Sequence, residues 1–302
     1  MNKEVCKSFM SVWEFFPDKL NKGEYEFKEH NFLNSYCGSD SCDTPFEKIN
    51  GGCLYLFNQF FGRSDLFKSV ANSNINIVDY ILIWLSYMLN LKEQQRNDSN
   101  LPFFYNTTIN NDRYQKTITD VKEYKNYKEL IDKKKYFLDM NKKIISNFYE
   151  AFKLLCEMYA EFDDKTQYCA KCSKNAIQFV SKYKEMNQNS DITSNGSYNE
   201  LLSTLSNDYN NFKEYCNSKG NKCKDYPDLL TIEKKQNFAQ SSEDTPSSSS
   251  ITTRLFTVLS IFGAIAFFLG ISYKYSLFGF RKRFQKQKLK EKIKNIKKRI
   301  NH

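Results

Sequence analysis

A run of nineteen uncharged and mostly apolar residues, 255–273, dominates the C-terminal part of this chain. As an α-helix it would reach roughly 28 Å, close to the ~30 Å hydrocarbon core of a bilayer. The run extends to residue 280 if a tilted helix tolerates one internal lysine. The sequence therefore predicts a single membrane-spanning helix within residues 254–280. The charges that flank it are Arg254, Lys274, Arg281, Lys282 and Arg283.

Charge is distributed unevenly around this predicted span. Residues 274–302 hold twelve Lys or Arg and one acid, whereas residues 1–253 hold 32 bases and 34 acids. The net charge of +10 therefore belongs to the tail. It gives no reason to expect nucleic acid binding by the large N-terminal part. Because positive residues beside a span stay cytosolic, we expect the tail inside and residues 1–253 outside.

The N-terminus lacks the features of an ordinary signal peptide. Residues 1–20 carry six charges and have neither an uninterrupted apolar core nor a small-residue cleavage site. In one topology, the C-terminal span is itself the targeting signal and the long N-terminal part crosses the membrane. In the other, the protein is tail-anchored and this part faces the cytosol. The 29 residues after position 273 make a longer tail than a typical tail anchor has and favour the first topology.

Residues 1–238 are expected to form an all-α helical bundle, because apolar residues recur at helical spacing and no segment shows strand alternation. Thr44-Pro45-Phe46-Glu47 has the form of a capping box, and Gly51-Gly52 marks a place where a neighbour approaches closely. One segment is apolar almost all round and charged only at Asp79, which predicts a buried central helix rather than a second membrane element. The predicted helices are 2–16, 45–61, 75–91 (this central helix), 120–132, 136–161, 168–185 and 198–216.

Two further segments connect this bundle to the membrane and the cytosol. Residues 239–253 are rich in Ser and have no apolar periodicity, which predicts a disordered stalk. Residues 281–302 form the basic cytosolic tail, in which apolar positions recur every three or four residues among lysines. Such a basic amphipathic helix is expected to contact anionic inner-leaflet lipids or a cytoskeletal partner.

All nine cysteines precede the predicted span, a distribution that suits an oxidising exterior and a disulfide framework. Because nine is odd, at least one cysteine stays free or pairs between chains. We expect the last two to close a small loop, and one local bridge among the second, third and fourth. The candidate disulfide cysteines are Cys6, Cys37, Cys42, Cys53, Cys156, Cys169, Cys172, Cys216 and Cys223.

The Cys169-Ala170-Lys171-Cys172 motif permits other chemistry, although both cysteines are expected on one helix face. Zinc held by Cys156, Cys169, Cys172 and either Cys216 or Cys223 is an alternative to disulfides, but one C-x-x-C is weak evidence for metal. A redox role is disfavoured because no βαβ pattern surrounds the motif. We therefore expect neither a metal nor a cofactor.

Catalysis has little support in the sequence. The two histidines are His30, in a polar segment, and His302, at the last position. The chain has no glycine-rich phosphate loop, no H-E-x-x-H and no G-x-S-x-G. We expect a protein that is not an enzyme and that has no catalytic residues.

Recognition would instead use exposed loops, and residues 91–111 and 187–197 are the polar candidates. A host-cell receptor or an antibody is the expected partner of such loops. Three sites match the N-glycosylation pattern, at Asn97, Asn106 and Asn195, although chance matches are expected among 31 asparagines.

Several features of the sequence together resemble one known protein family. They are the segments NGGCLYLF (residues 50–57) and YILIWLSYML (80–89), Cys6, the lack of a signal peptide, the single span and the Lys-rich tail. The chain resembles the Plasmodium interspersed repeat (PIR) family, the variant antigens of malaria parasites. Asn, Lys, Phe, Tyr and Ile make up 135 of its 302 residues, which agrees with a very A/T-rich genome.

The resemblance implies a helical ectodomain exported toward the infected red-cell membrane, where sequence variation contributes to immune evasion. It transfers no catalytic or binding residues. A host-cell adhesin with a specific ligand, and a tail-anchored intracellular membrane scaffold, are the two alternatives.

Overall fold

The computed structural model describes residues 1–28, 32–38, 41–92, 100–118, 124–220 and 223–229. These all belong to the first of two units in the chain, Met1–Phe238; the second, Ala239–His302, lies outside the described residues. The predicted stalk, membrane helix, flanking charges and basic tail therefore also lie outside them. Among the helices that are described, none is long and apolar enough to cross a membrane.

The regular secondary structure of the described residues is helical, and none of them forms a β-strand, so the predicted all-α class is confirmed for this part of the chain. Short 3-10 helices lie at Asn34–Tyr36 and Lys135–Asp139, and a π-helical turn lies at Tyr105–Ile109. The α-helices are α1 Lys3–Phe15, α2 Pro45–Phe61, α3 Ser64–Ser69, α4 Ile77–Leu89, α5 Asn100–Phe104, α6 Asp112–Gln115, α7 Tyr127–Asp132, α8 Lys142–Glu161, α9 Cys172–Asn187, α10 Ser190–Thr193 and α11 Gly196–Ser218.

Polar side chains fix where several of these helices begin. The predicted capping box is present: Thr44 Oγ1 accepts from the backbone N–H of Glu47, whose side chain accepts from the backbone N–H of Thr44. Asparagine side chains accept backbone N–H groups at the starts of other helices, which satisfies donors that have no partner within the helix. The caps of α1, α7, α8 and α11 are Asn2, Asn126, Asn141 and Asn195.

Three predicted helices begin at least four residues later than the sequence pattern indicated. The predicted helix 120–132 begins at Tyr127, because Asn126 caps it in an extended conformation; residues 119–123 lie outside the described ranges. The predicted helix 136–161 divides into a 3-10 segment and α8, whose cap at Asn141 is also extended. The predicted helix 168–185 begins at Cys172.

Helix α8 lies at the centre of the packing, in contact with α1, α4, α9 and α11, while α4 also packs on α2. The predicted central helix is confirmed, since Tyr87 alone among the thirteen residues of α4 is not buried. Aromatic rings fill the junction of α1, α4 and α8: the Phe152 ring lies 4.7 Å from that of Phe9 and 4.6 Å from that of Tyr80. Such pairs stabilise a core beyond the area that they bury.

Candidate functional site

Four disulfides brace the helical unit, and one of them connects distant parts of the chain. Cys6 in α1 is bonded to Cys156 in α8, across a sequence separation of 150 residues and a Cα–Cα distance of 4.8 Å. Both cysteines are fully buried. This bond fixes the N-terminal helix to the central helix of the core.

The other three disulfides are local and lie beside helix ends. Cys37–Cys42 precedes α2, Cys169–Cys172 begins α9, and Cys216–Cys223 follows from the last turn of α11. The predicted small loop between the last two cysteines and the predicted local bridge among the early ones are both present. The expectation for the C-x-x-C was wrong in one respect, because Cys169 precedes α9 and does not share a helix face with Cys172.

The ninth cysteine, Cys53, is free and fully buried in α2. Burial raises the pKa of its thiol to about 12, and the nearby Tyr114 hydroxyl opposes that effect. A thiol in this position is protonated and shielded from other chains. The odd cysteine count therefore reflects a core thiol rather than a bond between chains.

The zinc alternative does not match this arrangement. Its proposed ligands Cys156, Cys169, Cys172, Cys216 and Cys223 are divided among three disulfides. In the described ranges, no group of three or more His, Cys, Asp or Glu is placed to hold a metal ion.

The two motifs that carry the family resemblance pack directly on each other. A Cβ atom added to Gly52 in α2 would lie 2.4 Å from Cη2 of Trp84 in α4, so only glycine leaves room for the indole ring. The neighbouring Gly51 faces the first local disulfide, with a hypothetical Cβ 3.0 Å from Cys37 Sγ. The close approach predicted from the Gly-Gly pair is present.

Buried polar groups connect the helices further. Asp79, 2% exposed in α4, accepts from Lys134 Nζ at 3.0 Å and from Tyr136 Oη at 2.8 Å. Burial raises the pKa of the Asp79 carboxyl, and the charge and hydrogen bond of Lys134 oppose that rise. Asp208 in α11 accepts from the Tyr80 hydroxyl at 2.6 Å, and burial raises the pKa of that tyrosine well above its ordinary value. These contacts are structural, since each buried carboxylate has its hydrogen-bond partners.

The two segments predicted as exposed recognition loops differ from that expectation. Residues 100–109, within the predicted loop 91–111, form α5 and the π-helical turn, and Leu101, Phe104 and Ile109 are buried. The prediction was wrong there because the aromatic and aliphatic residues of this segment join the core. The second segment, 187–197, is mostly exposed but is anchored by the buried Ile192 of α10.

The glycosylation candidates lie in different settings. Asn106 is exposed on the π-helical turn, while Asn97 lies outside the described residues. Asn195 is exposed, but its side chain already accepts the backbone N–H groups of Ser197 and Tyr198 as the α11 cap. Of these two described sites, Asn106 leaves its side chain more available to solvent.

An open groove of about 440 Å³ runs between α8 and α9. Its charges are largely paired: Lys182 Nζ lies 2.9 Å from a Glu150 carboxylate oxygen and 3.6 Å from one of Glu185. Because it is shallow and its charges are paired, the groove suits a protein or peptide surface better than an enclosed small molecule. Its lining residues are Glu150, Lys153, Leu154, Glu157, Gln178, Ser181, Lys182 and Glu185.

Comparisons with known proteins agree with this architecture. A family model described as Plasmodium variant antigen protein Cir/Yir/Bir matches residues 6–274. A solved structure of a Plasmodium PIR protein ectodomain is similar to this chain, with a TM-score of 0.57 and 29% sequence identity, over 76% of this chain and 96% of that chain. No curated protein matches the chain. The predicted resemblance is confirmed, and the chain belongs to the Plasmodium variant antigen family.

Proposed function

We propose that this protein is an exported variant surface antigen that contributes to antigenic variation and immune evasion at the infected red-cell membrane. The observation that carries the proposal is the similarity to a PIR ectodomain at 29% identity over 96% of that chain. Fewer than a third of the aligned residues are the same, and the fold is still recognisable. A variant antigen requires a frame that tolerates such sequence change.

The disulfide frame supplies this tolerance in physical terms. The bond between Cys6 and Cys156 and the aromatic junction around Phe152 hold the core without help from the exposed connections. Substitutions at exposed positions away from such features usually change stability by less than about 0.5 kcal/mol. Antibody-facing residues in segments such as 187–197 can therefore change while the helices stay in place.

The proposed topology places residues 1–253 outside the membrane and residues 281–302 in the cytosol. Four disulfides support an oxidising compartment for the helical unit. The apolar run at residues 255–273 and the basic residues after it support a single span with its tail inside. The tail would bind anionic inner-leaflet lipids or a cytoskeletal protein through its lysines.

Protease treatment of intact infected red cells tests this topology. The cells would contain a copy of this protein with one epitope at the N-terminus and another on the tail. We expect loss of the N-terminal epitope and survival of a tail fragment with a mass near that of the span plus tail. Complete protection of both epitopes, with cleavage only after the membranes are permeabilised, would contradict display on the host cell.

A host-cell adhesin is the second candidate, and the groove between α8 and α9 is the observation that favours it. Saturable binding of the purified protein to red or endothelial cells would support this function. The variants Gln178→Arg and Ser181→Arg place bulky cations in the exposed wall of the groove. Loss of binding in these variants would show that the ligand binds in the groove. An exposed substitution elsewhere, Lys224→Glu, is the matched control. Absence of saturable binding favours an antigen without a ligand.

The tail-anchored scaffold makes a different prediction about thiols, because the cytosol keeps cysteines reduced. Alkylation in lysed cells under denaturing, non-reducing conditions would label nine cysteines in the scaffold. In the proposed antigen it would label Cys53 alone, and only after unfolding, since that thiol is buried. The protein from parasite cells, rather than recombinant material, is the sample that decides this point.

A further inference from the structure

One disulfide differs from the other three in exposure. All nine cysteines lie in the described residues, and Cys169 alone among them is partly exposed; the others are at most 8% exposed. Cys169 also follows Tyr168, which is 66% exposed. Cys169 is therefore the cysteine residue most open to solvent, and its bond to Cys172 is the one of the four with a partly exposed end.

The bond between Cys169 and Cys172 also closes the smallest loop. Its sequence separation is 3 residues, against 5 for Cys37–Cys42, 7 for Cys216–Cys223 and 150 for Cys6–Cys156. In the chain-entropy account, a disulfide that closes a short loop adds least to stability. Opening this bond costs the fold less than opening any of the others.

In the oxidised pair, the start of α9 already places a backbone donor on the sulfur of Cys169. Cys172 is the first residue of this sixteen-residue helix, and the N-cap residue Lys171 makes no side-chain hydrogen bond to it. The sulfur of Cys169 takes that place, accepting the backbone N–H of Cys172 at 3.1 Å. A helix N-terminus and a direct N–H donor both stabilise a thiolate.

Cys172 lies beside an acceptor for the thiol that reduction would form. Its sulfur is 3.5 Å from the carbonyl oxygen of Met158, which can accept a hydrogen bond from that thiol. Cys172 itself is fully buried, so it is protected from direct attack. The pair thus combines one partly exposed cysteine with one buried cysteine in a C-x-x-C, a motif in which thiol–disulfide exchange depends on access to the attacked sulfur.

We propose that Cys169–Cys172 is a thiol-exchange site that reacts with small-molecule thiols of the glutathione type, a role that the sequence alone disfavoured and that the exposure of Cys169 and the contact at the start of α9 now support. An external thiolate attacks Cys169 Sγ, the bond to Cys172 breaks, and the Cys172 thiolate takes up the proton that the external thiol released. A second thiol attacks the external sulfur of the mixed disulfide, and Cys169 leaves as the thiolate that the Cys172 N–H stabilises. Two external thiols are oxidised to their disulfide, and the protein disulfide is reduced to two thiols.

The experiment titrates the oxidised full-length protein, kept in mild detergent, with mixtures of reduced and oxidised glutathione. Samples are quenched with acid, alkylated and digested, so that mass spectrometry measures each of the four disulfides separately. We expect the Cys169–Cys172 bond to be reduced at a ratio of reduced to oxidised glutathione at least ~tenfold lower than the ratio that reduces any other disulfide of the protein. The helical circular dichroism signal should stay unchanged as this bond opens. Cys37–Cys42, which is also local but buried, is the internal control.

Two variants test which sulfur is attacked. Cys172→Ser should accumulate a glutathione adduct on Cys169 when exposed to oxidised glutathione. Cys169→Ser should leave Cys172 largely unmodified for as long as the protein remains folded. The proposal is overturned if all four disulfides open together with unfolding, if Cys37–Cys42 opens first, or if the two variants form adducts equally fast.

Discussion

At the residue scale, a glycine and a tryptophan explain why two sequence motifs occur together. Gly52 allows the Trp84 ring to lie against the backbone of α2. Gly52→Ala should lower the free energy of unfolding by about 1–3 kcal/mol, because the buried ring cannot move aside without strain. Chemical denaturation followed by circular dichroism measures this.

Gly196→Ala is the matched control, since no atom lies within 4 Å of a Cβ added there. It should leave stability unchanged or slightly increase it, because alanine has the higher helix propensity. Adding Trp84→Phe to Gly52→Ala should recover part of the loss. If Gly52→Ala is as stable as the control variant, the close contact does not constrain the sequence.

Asp79 gives a second prediction at this scale, in the pH dependence of stability. Burial raises the pKa of its carboxyl in the folded protein above the ordinary value of 3.8. At a pH between the carboxyl's ordinary pKa in the unfolded chain and its higher pKa in the folded protein, the folded chain binds more protons than the unfolded chain. This group therefore makes the free energy of unfolding fall as pH rises through that window. Asp79→Asn removes the effect.

The measurement is the difference in unfolding free energy between wild type and Asp79→Asn, taken from pH 3.5 to 7. Wild type should lose stability relative to the variant as pH rises, by at most about 1.4 kcal/mol per pH unit, and the difference should level off above the folded pKa. The exposed Asp225→Asn is the control. A difference that stays flat or grows in favour of wild type contradicts the raised pKa.

At the element scale, local signals in the sequence predicted helices wherever their ends carry recognisable caps. The Thr44 capping box placed the start of α2. Pro17, which cannot continue a helix and follows the predicted range 2–16, placed the end of α1 within one residue. Helices α7 and α8 were predicted to begin too early, because Asn126 and Asn141 were not recognised as caps within an Asn-rich chain. Residues 100–109 were missed since their burial depends on tertiary packing that periodicity does not report.

The sequence also predicted part of the disulfide framework of the candidate site. The sequence indicated a disulfide framework and two of its local bridges, because cysteines close in sequence can pair without knowledge of the fold. The bond between Cys6 and Cys156 depends on α1 packing against α8, which the residues alone do not specify. The residues alone also do not specify that Cys53 is the cysteine without a disulfide partner, because this follows from its position in the core.

The N-cap of α2 gives a testable prediction for a single helix. Thr44→Ala should cost about 1 kcal/mol of stability, because the backbone N–H of Glu47 loses its acceptor at the start of α2. Thr44→Ser keeps the hydroxyl and should stay within a few tenths of wild type. Thermal and chemical denaturation of both variants measure the two effects. Equal stability of the alanine and serine variants would show that the cap contributes nothing.

At the scale of the whole molecule, one disulfide closes nearly half of the chain while three close short loops. In the chain-entropy account, the stabilisation grows with the logarithm of the loop length. The separation of 150 residues between Cys6 and Cys156 corresponds to about 5 kcal/mol, and the separation of 7 between Cys216 and Cys223 to about 2 kcal/mol. The long bond should therefore stabilise the helical unit more than any of the three local bonds does.

Paired substitutions test this account without leaving an unpaired thiol. Cys6→Ala with Cys156→Ala should lower the unfolding free energy by about 3 kcal/mol more than Cys216→Ala with Cys223→Ala, measured without reductant. All four cysteines are fully buried, so the loss of sulfur packing is similar in both variants and the difference reports loop length. Equal losses would mean that local packing, rather than the constraint on the unfolded chain, sets the contribution of these bonds. Because the buried bond between α1 and α8 and the core around it lie away from the exposed connections, those connections are free to vary, which is the property that the proposed antigen needs.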